Sequence, residues 1–378
     1  MNKNAGIQLA LSVLICILLV AATISVCIGQ EKETITIVDM LGRDVTLDVP
    51  VDRVVLHFYF EEYVPVEGGE NPFERIVGWN RAYWEGRRQW TWETYESAFP
   101  EINSIPDVGY ISKGNFNSEK VISLRPDVVI MYPGDYESAK EDVAKLEKAG
   151  ISVVVLDYHS ETLEAYNQST MLLGRILGRE ERAAEIMEFY RGQVEIVTTV
   201  IEDIEGHKPS VYVECGNLGP TEYSNSYGKG YMWGELIDKC RGKNIAEGAM
   251  KAGTGTVISP EYLLNQNPDV IIITGSYWPA VSDSMRLGYG AQLDDSRERL
   301  KVFTERPGWD NLRAVKIGRV YAIDHGLSRS LHSFVAIQSM AKCLYPEEFR
   351  DLDPNENYEE FHDRFLPVEF SGVWYVAL

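Results

Sequence analysis

Two stretches of the chain say the same thing in almost the same words. Residues 117–134 read NSEKVISLRPDVVIMYPG, and residues 259–276 read SPEYLLNQNPDVIIITGS. Each predicts a short helix, a stop at Pro, and a buried strand. Pro126 and Pro268 end the helices, because proline disfavours α geometry in the residue before it. The runs after them, Val128 to Met131 and Val270 to Ile273, are apolar without alternation, as in parallel strands covered on both faces. Each copy carries a glutamate seven residues before its proline, Glu119 and Glu261. The first strand is expected to end in a loop at Tyr132–Pro133–Gly134. A supersecondary unit that returns once per half predicts two similar α/β lobes.

The rest of the chain fits around these units. Residues 34–49 alternate apolar and polar with a turn at Gly42, which predicts an edge hairpin. Val54–Val55–Leu56 is a buried strand, with His57 to Phe60 beyond its carboxyl end, where open α/β sheets bind ligands. Residues 151–156 close the first lobe. Ser160 is placed to cap a helix running to Gly178. A longer helix follows, with apolar residues at Ala183, Ile186, Met187, Tyr190, Val194, Val197, Ile201 and Ile204. These steps of three and four bury one face, and from 180 to 204 the helix would span about 37 Å. It reads as a rigid strut. The expected division is a leader at 1–29, a first lobe at 30–158, connecting helices at 159–206 and a second lobe at 207–378.

Residues 9–29 are apolar or small almost throughout, which predicts a secretory leader or an N-terminal membrane anchor, since the run approaches the roughly 20 residues of a spanning helix. Cys27 invites lipidation, but Val26 stands where a bacterial lipobox has Gly, Ala or Ser. The remainder is then extracytoplasmic. The leader holds only Lys3, leaving 35 basic against 57 acidic residues, a net charge of −22. That balance argues against nucleic acid as a partner. Cys215, Cys240 and Cys343 remain outside the leader. They allow at most one disulfide, form no zinc pattern, and are expected to be buried small side chains. Neither a phosphate-binding glycine loop nor a Gly-x-Ser-x-Gly elbow is present, so the chain is not expected to be an enzyme.

Four stretches together resemble a known family. They are Asp39–Met40–Leu41–Gly42–Arg43 with Pro50 and Arg53; residues 117–130; residues 174–183 (GRILGREERA); and Arg306–Pro307–Gly308–Trp309 with residues 314–321. In this order they are similar to the solute-binding proteins of ABC importers, of the rigid-helix type that serves ferric siderophores, haem and cobalamin. The resemblance implies two Rossmann-like lobes joined by a long α-helix, with the ligand cleft between them. It implies a monomer that delivers its ligand to a membrane permease, docking through Glu119 and Glu261. It implies no intrinsic cofactor and a ferric chelate as cargo, with a corrinoid, haem or a nickel chelate as alternatives. A non-transport surface receptor or structural protein is the alternative of another class.

The segment from about 81 to 106 is longer and more aromatic than its usual counterpart, and four of the eight tryptophans fall between 79 and 92. Aromatic faces with interleaved arginines suit a flat or anionic small molecule. The expected ligand contacts are His57, Tyr59, Trp79, Arg81, Tyr83, Trp84, Tyr110 and Tyr132 on one side. Facing them are Tyr223, Tyr227, Trp278, His325 and Arg329. His57 and His325 are either hydrogen-bonded structural histidines or ligands to a metal that the chelator leaves open.

Overall fold

The computed structural model describes residues 32–378; the leader lies outside them. An antiparallel hairpin, β1 (Glu33–Val38) and β2 (Asp44–Val49), opens the described chain. It is a separate ribbon, tied to the first lobe by Arg43, which pairs with Asp39 and donates to the Val153 carbonyl. The first lobe holds β3 (Val54–Leu56), β4 (Ile76–Trp79), β5 (Val128–Met131) and β6 (Ser152–Val155), all parallel, in the order β4-β3-β5-β6. Its helices are α1 (Phe60–Glu67), α2 (Arg81–Arg87), α3 (Gln89–Ala98), α4 (Ser118–Leu124), α5 (Pro133–Ser138) and α6 (Lys140–Lys148).

Two connecting helices follow, α7 (Leu163–Leu177) and α8 (Glu180–Asp203). The second lobe carries β7 (Ser210–Cys215), a ribbon of β8 (Asn225–Tyr227) with β10 (Gly255–Val257), and then β9 (Lys243–Asn244), β11 (Val270–Gly275), β12 (Val320–Asp324) and β13 (Tyr375–Ala377). Its sheet runs β9-β7-β11-β12-β13, parallel except for β13. Its helices are α9 (Trp233–Lys239), α10 (Pro260–Gln266), α11 (Leu293–Thr304), α12 (Arg313–Lys316), α13 (Ser333–Leu344) and α14 (Pro354–Phe365).

The repeated unit explains why the two sheets share one strand order. α4 and α10 are each seven residues long and capped by a side chain, Asn117 accepting from the Lys120 amide and Ser259 from the Tyr262 amide. Each ends on a residue in the left-handed region, Arg125 (φ 48°) and Asn267 (φ 45°), before the proline. The aspartate after the proline then clamps the neighbouring parallel strand. Asp127 accepts from the Asp52 and Arg53 amides, and Asp269 from the Ser210 amide and hydroxyl. Each aspartate's own amide donates back, to Arg53 and Ser210 carbonyls respectively.

Two local expectations are corrected. The Tyr132–Pro133–Gly134 segment is not a loop, because Pro133 is the first residue of α5, a position that proline's fixed φ suits. α7 is capped by Thr162, whose side chain accepts from the Ala165 amide, while Ser160 is turned toward Asp157. α8 follows the expected apolar face, burying Ala183, Ile186, Met187, Tyr190, Val197 and Ile201. That face and its neighbour Phe189 pack on Phe334, Phe361 and Phe365 of α13 and α14. One apolar core therefore runs from the first sheet through α8 into the second lobe. Cys215, Cys240 and Cys343 are buried free thiols.

Candidate ligand-binding cleft

In both sheets the strand order reverses direction between the first and third strands of the lobe, β3 and β5, and β7 and β11. Open α/β sheets leave a crevice at that point, beyond the carboxyl ends. The two crevices face each other and enclose a cavity of about 390 Å³, within the usual range of small-molecule sites. Its lining comes off strand ends: Phe58 and Tyr59 after β3, Tyr132 after β5, His159 after β6, Asn217 after β7, Trp278 after β11, and His325, Ser328 and Arg329 after β12. α2 and the turn after it add Tyr83, Trp84, Arg87 and Arg88.

Rings make half of the wall. Phe58 packs on Tyr83 (4.7 Å between centroids) and Tyr132 (4.8 Å), and His159 packs on Tyr132 (4.9 Å). Opposite, His325 lies against Trp278 (5.8 Å) and Tyr227 (6.3 Å), its Nδ1 2.9 Å from the Thr274 hydroxyl. Burial, reinforced by nearby arginines, lowers His159 to about 4 and His325 to about 3, so both imidazoles are neutral at pH 7. Burial raises the phenols of Tyr83 and Tyr132 to about 12, so they remain hydroxyls.

Three arginines reach the cavity, and two are already engaged. Arg88 faces Glu61 (Nε to Oε2 3.6 Å) and donates to the Gly326 carbonyl across the cleft. Arg329 pairs with Glu161 at 2.6 Å. Arg87, among the described residues, has no carboxylate within ion-pair distance. Burial and the neighbouring Glu61 push the Glu62 carboxyl well above the usual carboxylate range. Arg87, an exposed side chain, is thus the cavity arginine left without a carboxylate partner among the described residues. Among the described residues no three His, Cys, Asp or Glu side chains converge to hold a metal ion.

Of the residues expected from sequence, Tyr59, Tyr83, Trp84, Tyr110, Tyr132, Tyr227, Trp278, His325 and Arg329 line this cavity. Four do not. His57 is fully buried, Nδ1 2.7 Å from Asp135 Oδ2 and its ring against Phe116. Trp79 closes β4 on the core side, packed on Phe60, Phe73 and Trp92. Arg81 lies over Trp92 and binds Glu85 and Asn103. Tyr223 accepts from the Trp309 indole and lies under Arg306, whose buried partner is Glu214. In each case the side chain is held by partners outside the cavity.

Sequence reasoning missed Phe58, Glu61, Glu62, Arg87, Arg88, His159, Asn217, Tyr231 and Met232. His159 and Asn217 follow strand ends and were accessible to the carboxyl-end rule. Glu61 and Glu62 carried no such signal.

Two facing crevices, a continuous core through a long helix and a ring-lined cavity define a bilobed binding protein, and the chain belongs to the periplasmic binding protein family, whose profile matches residues 82–326. It is a solute-binding protein of an ABC transporter. A solved structure titled a TroA-like periplasmic binding protein FepB from Veillonella parvula is 39% identical, with a TM-score of 0.86, the match covering 91% of this chain and 99% of that one. An uncharacterised ABC transporter substrate-binding lipoprotein, YvrC of Bacillus subtilis, is 24% identical over 93% of this chain and all of its own length. The molybdate-binding protein MolA of Haemophilus influenzae is 22% identical over 89% of this chain and 92% of its own. No helix among the described residues is long and apolar enough to cross a membrane.

Proposed function

We propose that this protein captures a ferric chelate of net negative charge between its lobes, outside the cytoplasm, and hands it to the permease of an ABC importer. The observation that carries the reading is Arg87, the cavity arginine without a carboxylate, set among rings and neutral imidazoles. A ferric siderophore whose donors fill the iron shell offers flat ligand arms to rings and net charge to arginine. A bare oxyanion such as molybdate would leave the rings of Phe58, Tyr83, Tyr132 and Trp278 unused. A corrinoid is large for a cavity of about 390 Å³, near the low end of small-molecule sites.

Delivery is assigned to Glu119 and Glu261. Both are exposed, each in the first turn of its matching helix, one per lobe. The two-lobe division and a monomeric state fit this role, with the N-terminus as secretory leader or tether.

The test is a titration of the purified chain with ferric tris-catecholate, a neutral ferric trihydroxamate, cobalamin, haemin and molybdate, read by tryptophan fluorescence and visible absorption. The expected result is tightest binding of the ferric tris-catecholate. Tighter binding of cobalamin or haemin would replace the ligand within the same importer role, and binding of none would overturn the ferric-chelate reading.

A further inference from the structure

Seven non-glycine residues among those described have positive φ, a conformation that costs bulky side chains energy and gathers at ligand clamps. Four of them meet at the cavity: Tyr59 (φ 69°), Glu161 (φ 55°), Met232 (φ 47°) and Arg329 (φ 62°). Tyr59, Met232 and Arg329 line it. Glu161 does not; it lies behind the wall, 4% exposed, between β6 and α7. Its Oε1 accepts from both Arg329 Nε (2.6 Å) and the Met232 amide (2.8 Å). Its backbone carbonyl accepts from the Lys239 ammonium. Its Oε2 is buried without a partner. The Arg329 guanidinium lies 4.5 Å over the ring of Tyr231, which also lines the cavity.

One carboxylate at the junction of the first lobe and the connecting helices therefore holds the Met232 backbone, through its amide, and the Arg329 side chain, through its Nε, in the second lobe. Free of it, Arg329 has rotamers to explore and the 231–232 turn has strain to relieve. A charge-assisted hydrogen bond in a buried setting is strong enough to suppress both. We propose that Glu161 is the positioning residue of this cavity, fixing the Arg329 guanidinium and the Tyr231–Met232 turn for an anionic ligand. The ligand's sign rests on the reading above; the fixing of Arg329 does not.

The experiment has a ligand-free arm and a binding arm, both on the full chain. In the first, the rate of phenylglyoxal modification at Arg329 and at Arg87 is followed by peptide mass spectrometry in wild type and Glu161→Gln. The expected result is several-fold faster modification of Arg329 with Arg87 unchanged. A purely structural role for Glu161 would lower the melting temperature and leave Arg329 at its wild-type rate, which overturns the proposal. Should Glu161→Gln not fold, Glu161→Asp carries the same comparison with a smaller increase.

In the second arm, ferric tris-catecholate affinity is measured for Glu161→Gln, Arg329→Met and the double variant. Coupling of groups in direct contact predicts roughly a tenfold loss for Glu161→Gln that disappears in the Arg329→Met background. A loss that persists there, or tighter binding by Glu161→Gln, overturns the proposal. If wild type does not bind the probe, the ligand assignment fails, and the phenylglyoxal comparison still decides the role of Glu161.

Discussion

Asp324 ends β12 with its carboxyl buried at the seam between the lobes, accepting from the Gly326 amide. Burial raises it from 3.8 to about 7, with Arg88 opposing. Because its folded value lies above its unfolded one, its contribution to stability is fully present below about pH 4. It is lost as pH rises through 7, at up to about 1.4 kcal/mol per pH unit. Asp324→Asn removes that titration and keeps an acceptor for the Gly326 amide. The expected outcome is a melting temperature that moves in favour of the variant between pH 4.5 and 8. Parallel curves for the two proteins would show that Asp324 does not titrate in this range. At the same scale, His57 shows where one-dimensional reading stops. Its place after a buried strand marked it as a ligand contact, yet its partner, Asp135, comes from α5, and nothing local indicates which way the ring turns.

The repeated helix–Pro-Asp–strand unit was legible because its rules are local. Proline stops the helix, and an unbroken apolar run makes a two-sided strand. What the spacing did not reveal is the work of the aspartates. Asp269 reaches the start of β7, 59 residues away in sequence, and accepts from the Ser210 amide and hydroxyl. Asp269→Ala leaves a part-buried amide without its acceptor, so a loss of about 1–3 kcal/mol is expected in urea unfolding, with a smaller loss for Asp127→Ala, whose amide partners are exposed. A change within about 0.5 kcal/mol would mean that water replaces the clamp. α2 and α3 were less legible, since aromatic residues at helical spacing serve core and cleft equally. Trp79 and Trp92 went to the core, Trp84 reaches the cavity wall, and Trp90 stacks on Tyr277 of the other lobe at 4.5 Å and 8°.

For the whole molecule, the governing feature is a core that does not stop at the lobe boundary. α8 lays Phe189 and Tyr190 against α13, and α13 is buried on almost every face. Lobes joined this way resist large relative rotation, because an apolar interface must be exposed to open them. A permease would then read the distance between two fixed points more readily than a hinge angle. The docking role proposed for Glu119 and Glu261, one per lobe, would use such points. The variant carrying Glu119→Ala and Glu261→Ala is expected to keep wild-type ligand affinity and to lose uptake in cells expressing the cognate permease. Lost affinity in that variant would place the glutamates in ligand binding instead.

Two α/β lobes, the strut between them, the matched glutamate pair and the aromatic character of the cleft were readable along the chain, because they depend on near neighbours in it. Periodicity and proline act within a few residues, and those are visible in one dimension. Which charges are compensated depends on contacts between distant parts of the chain. Glu161 meets Arg329 across 168 positions, Glu61 meets Arg88, and Arg87 meets no carboxylate among the described residues. The cavity's electrostatics depend on which side chains share a few ångströms, and only the packing of the two lobes sets that.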